Sequence, residues 1–301
     1  MSDIIKTDGR RTTECIANIV LAVVAVATNG ALCAMSLHER PRRKFNSLIA
    51  AYSAGIVVNA TGIALLYGIR VETNETSTPV RCLREYWYLH FYTVGEPIVS
   101  FATLVIAIDS FVSTCFVHPK WHLHLRDIPK CIFGFLICSA LNTAAIWIDA
   151  YIRRDEVISA SCYQSYVLSQ WYHRIFYTVL SITDIASIGI QLLALANMWI
   201  QKSKFNVVRL AQIRRQTAML KESVILVACV IMSQGIPNMY YVIETMTVLP
   251  KWFDKMVWLS TNFGYIGYSA YCILKWFFRR EFNLPKTLVT TAKVSPTTNS
   301  K

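Results

Sequence analysis

Residues 15–37 read CIANIVLAVVAVATNGALCAMSL, from Cys15 to Leu37, without a single Asp, Glu, Lys or Arg. A helix needs about 20 mostly apolar residues to cross the roughly 30 Å hydrocarbon layer of a bilayer. This run is long enough, and a basic cluster, Arg40-Pro41-Arg42-Arg43-Lys44, follows it closely. Phe45–Ile69, Cys131–Ile148, Ser223–Ile243 and Met256–Leu274 lack the same four residue types. Tyr86–Val117 holds only Glu96 and Asp109 as charged residues, and Ile175–Gln201 only Asp184. The expectation is seven spans.

Composition agrees. The 301 residues are 54% hydrophobic and only 16% charged, and mean hydropathy is +0.39, whereas soluble domains are about 25% charged. A net charge of +12 fits either nucleic acid or a membrane surface. Here the charges fall between long apolar runs, so the partner is membrane lipid and no nucleic acid is expected. Barrel strands need only about ten residues in strict alternation. Backbone groups in lipid must be bonded internally, so runs of this length are helices.

The fold class expected is an all-α seven-transmembrane helix bundle with a short amphipathic helix after the seventh span. Residues 1–14 form an amino-terminal segment, 15–278 the transmembrane domain, and 279–301 an amphipathic segment with a Ser/Thr-rich tail. The first apolar run is longer than a signal-peptide core and has no small-residue cleavage site after it, so it is expected to stay as the first span.

Cytoplasmic connectors collect Lys and Arg. With the amino terminus outside, His38–Lys44, His118–Lys130, Lys202–Glu222 and everything from Lys275 onward lie inside, and they hold 19 of the 30 basic residues. That places the amino terminus outside and the carboxy terminus in the cytoplasm of a multi-pass protein. Asn74-Glu75-Thr76 is then a glycosylation acceptor on the outer side. Asn59-Ala60-Thr61 fits the same pattern from within a span, where no transferase reaches it. Seven of the nine cysteines lie in or at the ends of the apolar runs. Cys82 and Cys162 lie in outer loops, where an oxidising exterior lets them pair; two separate free thiols are the alternative.

Seven helices, an outside amino terminus and that cysteine pair resemble the rhodopsin-like G-protein-coupled receptors, over Cys15 to Phe282. Asn29-Gly30 is similar to the family's asparagine in the first helix. Ile108-Asp109-Ser110-Phe111 stands at the Asp-Arg-Tyr motif, with His118-Pro119 after it. Gln234-Gly235-Ile236-Pro237 stands where the family has Cys-Trp-x-Pro. Gly267-Tyr268-Ser269-Ala270-Tyr271 stands at Asn-Pro-x-x-Tyr, followed by Phe277-Phe278. Ser110 replaces the family's arginine and Gly267-Tyr268 replaces Asn-Pro, departures common among nematode serpentine chemoreceptors. The stretch Leu37 to Gly55 resembles their first inner loop and second span, in the manner of class xa. The resemblance implies a plasma-membrane chemosensory receptor that binds an external small molecule or peptide, needs no cofactor or metal, and engages a heterotrimeric G protein when its sixth helix moves.

Acids at membrane depth cost about 2.5–3.5 kcal/mol on insertion scales, so each needs a reason. Glu96, in Glu96-Pro97, has Tyr92 one turn away on the same face. It either binds a polar or cationic group or is a carboxyl holding helices together. Asp184, among Ser181, Thr183 and Ser187, is either a second contact in the same cavity or an interhelical bond. Asn59 and Asn142 read as amides bonding between helices. Pro237 cannot donate an amide and is expected to kink the sixth helix as a hinge, although proline is frequent in spans that never move. Tyr240, Tyr241 and Glu244 beyond it, and Tyr265 on the seventh run, complete the expected ligand-binding set, with interface anchoring the alternative for the tyrosines. Asp109, Ser110, Phe111, Pro237, Tyr271, Arg214 and Arg215 form the expected switch and G-protein contact. Attraction to anionic lipid explains the two arginines equally well.

Other classes fare worse. His118, His122 and His124 faintly resemble a desaturase box, but such enzymes need several boxes and the chain has six histidines in all. No Gly-x-Ser-x-Gly, His-Glu-x-x-His or P-loop pattern is present, so an enzyme is not expected. A transporter favours internal symmetry and helices broken near the midplane, and no half of this sequence resembles the other. An amine or neuropeptide receptor and a channel are the remaining alternatives.

Overall fold

A computed structural model describes residues 2–38, 44–69, 76–115, 124–160, 162, 164–202, 222, 224–244, 246–247 and 250–282. The elements in order are α1 (Ser2–His38), α2 (Lys44–Ile69), β1 (Thr76–Ser77), α3 (Pro79–Glu85), α4 (Leu89–Cys115) and α5 (Ile128–Ile152). They continue with β2 (Ile158–Ser159), α6 (Gln164–Val167), α7 (Gln170–Lys202), α8 (Val224–Glu244) and α9 (Lys251–Phe282).

Among the described residues, six helices are long and apolar enough to cross a membrane: Cys15–His38 within α1, then α2, α4, α5, α7 and α8. At 1.5 Å per residue, 25 residues reach about 38 Å, enough for the hydrocarbon layer with some tilt. The chain has the build of a multi-pass membrane protein. The expected seventh run lies within α9, which is 32 residues long but less apolar than the others. Thr261, Asn262, Tyr265, Tyr268 and Ser269 fall in that run and are buried; Asn262, Tyr265 and Ser269 bond to neighbouring helices, and the Tyr268 ring packs edge-on against Tyr52 of α2. α9 continues unbroken through Phe277 and Phe278 to Phe282, so the start of the expected separate amphipathic helix is part of α9.

Packing runs around the bundle: α1 on α2, α2 on α4, α4 on α5 and α7, and α9 on α1 and α8. α2 is the central post, with 67% of its most apolar window buried against 17% for α5. Phe133, Leu136, Leu141 and Ile148 of α5 are exposed, as a lipid-facing stripe requires. Glycine lets two pairs of helices meet closely. A Cβ on Gly95 of α4 would fall 2.8 Å from Asn59 N and Cβ of α2, and one on Gly264 of α9 would fall 2.6 Å from Ser233 Cβ of α8.

Both prolines inside the long helices leave a carbonyl without its usual donor, and a neighbouring helix supplies one. Pro97 lacks the N–H that would bond Thr93 C=O one turn back; Asn142 Nδ2 of α5 donates to that oxygen at 2.9 Å. In α8, residues Ile231–Gly235 form a π turn, in which Ile236 N–H reaches Ile231 C=O. The next bond of that pattern would run from Pro237 to Met232 C=O, and Ser260 Oγ of α9 donates there instead, at 2.7 Å. Re-satisfying freed backbone groups in this way is what makes proline tolerable in lipid. Asn142, read from the sequence as an interhelical amide, holds α5 to α4.

The ends of α2, α4, α5 and α7 nearest the two strands share a tied cap. β1 and β2 pair antiparallel, Thr76 opposite Ser159 and Ser77 opposite Ile158. Thr78 caps α3, its Oγ1 accepting from Arg81 N, with Pro79 in the first turn. Cys82 and Cys162 form a disulfide with Cα atoms 5.6 Å apart. Beside it, Asp149 accepts from Arg153 Nη2 at 3.1 Å and from Ser169 N at 2.8 Å, and Arg153 also bonds the Val167 carbonyl.

Candidate functional site

Tyr265 on α9 sits where three helices meet. Its hydroxyl accepts from Asn59 Nδ2 of α2 at 2.6 Å and from Gln234 Nε2 of α8 at 2.9 Å. Its backbone carbonyl accepts from Asn29 Nδ2 of α1 at 2.9 Å. One turn on, Ser269 Oγ bonds Thr28 Oγ1 at 2.9 Å, and one turn back Asn262 Nδ2 donates to Asn18 Oδ1 at 3.2 Å. A row of small polar groups thus seams α9 to α1, and Tyr265 extends the seam to α2 and α8. Such bonds average about 0.6 kcal/mol each in measured membrane bundles, so the seam holds by number.

Next to Tyr265 is a cavity with about 20 Å³ of space for water centres, enough for one or two waters. Asn59, Tyr92, Glu96, Gln234, Asn238 and Tyr241 are among its walls, with Pro237 and Trp258 closing two sides. Glu96 reaches it from the turn of α4 that Pro97 and Gly95 draw against α2. Asp184 does not line it. Its Oδ2 accepts from Asn238 Nδ2 at 2.7 Å, and that asparagine is a cavity wall. The two acids are close enough to feel each other's charge, and Tyr177 lies close to Glu96. Neither acid faces lipid: Asp184 is wholly buried, and Glu96 Oε2 is buried as well.

Toward the cap, an aromatic cluster lies over the acids. Tyr177 and Tyr241 ring centroids are 4.5 Å apart, and His173 is 4.7 Å from Tyr177. Tyr177 Oη also donates to Gln164 Oε1 at 3.3 Å, which links the cluster to the segment carrying Cys162.

Of the residues expected at a ligand site, Tyr92, Glu96, Tyr241 and Tyr265 come together around the cavity, and Asp184 stands one bond behind it. Tyr240 is buried against Tyr241 and Phe253 and is not a wall. Glu244 is exposed at the end of α8 and is not one either. Pro237 is a wall as well as the breaker of the α8 ladder.

At the opposite end, Asp109 is buried and Ser110 and Phe111 are half-buried on α4. The Tyr271 ring lies 5.8 Å from Lys275 Nζ, and Lys275 pairs with Glu222 just ahead of α8. Asn74, Arg214 and Arg215 lie outside the described residues. Among the described residues no three His, Cys, Asp or Glu side chains gather as a metal site would require.

Sequence reasoning gave Asn59 a structural role and did not place Gln234 or Trp258 at the site. Polarity at span depth was the available signal for the first two. Trp258 carries none, since a tryptophan near a span end reads as an interface anchor. No protein-family model matches the chain, and no curated protein does.

Proposed function

We propose that the chain is a seven-helix chemosensory receptor of the G-protein-coupled type, similar to nematode serpentine receptors. In this reading α9 is the seventh crossing, the tied cap faces outward from the plasma membrane, and the basic connectors face the cytoplasm. The carrying observation is that both lone acids at membrane depth, Glu96 and Asp184, turn into one polar cluster beneath the disulfide. An intramembrane acid is a functional-site hypothesis by default.

The ligand is a small external molecule that enters past the Tyr177–Tyr241 cluster. The cavity admits little beyond water, so the binding-competent arrangement is wider. A ligand stabilises that arrangement by its difference in affinity between the two states. The π turn and Pro237 give α8 the weakened ladder about which its far half swings. The Lys275–Glu222 pair at the opposite end then opens as α8 leaves α9, exposing a face for the G protein.

Two measurements test this. Epitope tags at the two termini, stained on intact cells, are expected to show the amino terminus from the medium and the carboxy terminus after permeabilisation; the reverse pattern overturns the reading. A second-messenger screen of small molecules on expressing cells is expected to yield a response that Glu96→Gln weakens at equal surface expression. A response unchanged in that variant removes Glu96 from the site.

A further inference from the structure

The backbone of α8 has two hydrogen-bond registers open to it ahead of Pro237. In the π turn Ile231–Gly235, Ile236 N–H donates to Ile231 C=O. An ordinary α turn would send that N–H to Met232 C=O and give Ile231 C=O the Gly235 N–H instead. Pro237 has no N–H to offer in either case. Each register therefore leaves one carbonyl without a donor, Met232 in the π turn and Ser233 in the α turn.

Each has a donor within the fold. Ser260 Oγ of α9 donates to Met232 C=O at 2.7 Å, and that oxygen needs it only in the π register. In the α register the freed carbonyl lies between Ser233 and Pro237, both walls of the water-sized cavity, where a water or a ligand hydroxyl is the available donor. The proline ring crowds the Ser233 carbonyl in the α register alone, which weights the balance toward the π turn.

A π turn holds one residue more than an α turn of the same span. Exchanging one for the other turns the two parts of α8 by about 100° and shifts them by about 1.5 Å. The part toward the cap is held by the Asn238–Asp184 bond and by the Tyr241 ring against Tyr177, so Val224–Val230 is the part that turns. Each residue there moves to the place of the one before it. Val230 arrives where Cys229 now meets α9, Cys229 arrives at the exposed position of Ala228, and Glu222 turns away from Lys275.

We propose that α8 is a two-register switch, in which Ser260 latches the π turn and a hydrogen-bond donor in the cavity favours the α turn. This deepens the movement of α8 in the receptor reading. Its test reads which thiols meet rather than signalling, so the two readings fail separately.

A Cβ on Gly267 of α9 would lie 3.1 Å from Cys229 Sγ, within disulfide reach. Two forms of the full chain in nanodiscs carry Gly267→Cys: one keeps Cys229, and the other has Cys229→Ala with Val230→Cys. Both are oxidised with copper phenanthroline, and peptide mass gives the initial rate of each linkage. The form that keeps Cys229 is expected to link faster. Ser260→Ala, added to both, is expected to slow linkage from position 229 and speed it from position 230, moving their ratio by about tenfold. Pro237→Ala removes the crowding ring and gives Ser233 C=O a donor of its own, so it is expected to move the ratio the same way and serves if Ser260→Ala does not fold. A ratio that either folded variant leaves unmoved, or two rates that rise together as a loosened helix pair would give, overturns the proposal.

Discussion

Replacing Gly264 with alanine tests whether α9 belongs to the bundle as described. A Cβ there would lie 2.6 Å from Ser233 Cβ, 2.7 Å from Cys229 O and 2.7 Å from Ser233 N. Carbon atoms rest at about 3.5–4.0 Å, so α8 and α9 must separate by about 1 Å. Two of the three obstructing atoms are backbone, and the third is a Cβ with no rotamer to escape into. Overpacking of this kind costs about 1–3 kcal/mol, occasionally more, and rigid neighbours put Gly264 at the upper end. Against it stands the helical preference for alanine over glycine, about 0.8–1.0 kcal/mol.

The steric cost wins by about 2 kcal/mol, which corresponds to a fall of about 4–8 °C in the unfolding midpoint. Gly30, Gly134 and Gly189 are also helical, and a Cβ on any of them meets nothing within 4 Å. Alanine there keeps the propensity gain without the clash, so those three variants melt at or slightly above the parent. The assay is thermal unfolding of the purified chain in one detergent, all four variants side by side. If Gly264→Ala melts no lower than the parent, the close approach of α8 and α9 is wrong, and the Tyr265–Gln234 and Ser260–Met232 bonds lose their support.

Asn142→Ala leaves Thr93 C=O without a donor and Tyr172 Oη without its 2.6 Å acceptor. A loss of about 1–3 kcal/mol is expected in denaturant unfolding, and Pro97→Ala should recover part of it by restoring the helix's own N–H; no recovery refutes the account of the proline. The disulfide predicts seven maleimide-reactive thiols in the denatured, unreduced chain and nine after reduction, read by mass. Nine without reduction excludes it. Closing a loop of 80 residues stabilises by up to about 4.5 kcal/mol on the chain-entropy account, so reduction should lower the midpoint. Under the receptor reading, Glu222→Gln raises ligand-independent second-messenger output and Lys275→Glu with Glu222→Lys returns it to the parent level. Unchanged output in Glu222→Gln removes the pair from the switch.

The spans were legible because charge-free runs of this length have few other uses, and the Cys82–Cys162 pair because loop position singles out two thiols among nine. α9 differs: its charge-free run was expected to be a seventh span, yet it is not among the six helices apolar enough to cross a membrane. A hydropathy reading scores residues by their fitness for lipid, whereas Asn262, Tyr265 and Ser269 answer to Asn18, Asn59, Gln234 and Thr28 across the interface. The face turned to each neighbour is decided by partners far apart in sequence, so Tyr240 and Tyr241 looked equivalent although only the second reaches the cavity. The π turn was illegible for a similar reason: Ile231–Gly235 has no composition that demands it, and the registry between Pro237 and Ser260 accompanies it.

Polar groups at membrane depth fall into two kinds here, and the difference bears on why the cavity exists. Asn29, Asn142, Gln234 and Ser260 each bridge two helices with a donor bonded at 2.7–2.9 Å, and holding the bundle together accounts for them. Glu96 and Tyr92 do not fit that account. Each keeps a buried oxygen without a partner, as the Asn29 amide does, but both stand on the cavity, and a leucine and a phenylalanine of similar volume would fill the space with no desolvation cost. An acid that stabilised only through Tyr177 would need neither the cavity beside it nor a second acid behind Asn238. A hydrogen-bonding occupant of the space between them would offset that desolvation cost, and under the receptor reading the ligand supplies it.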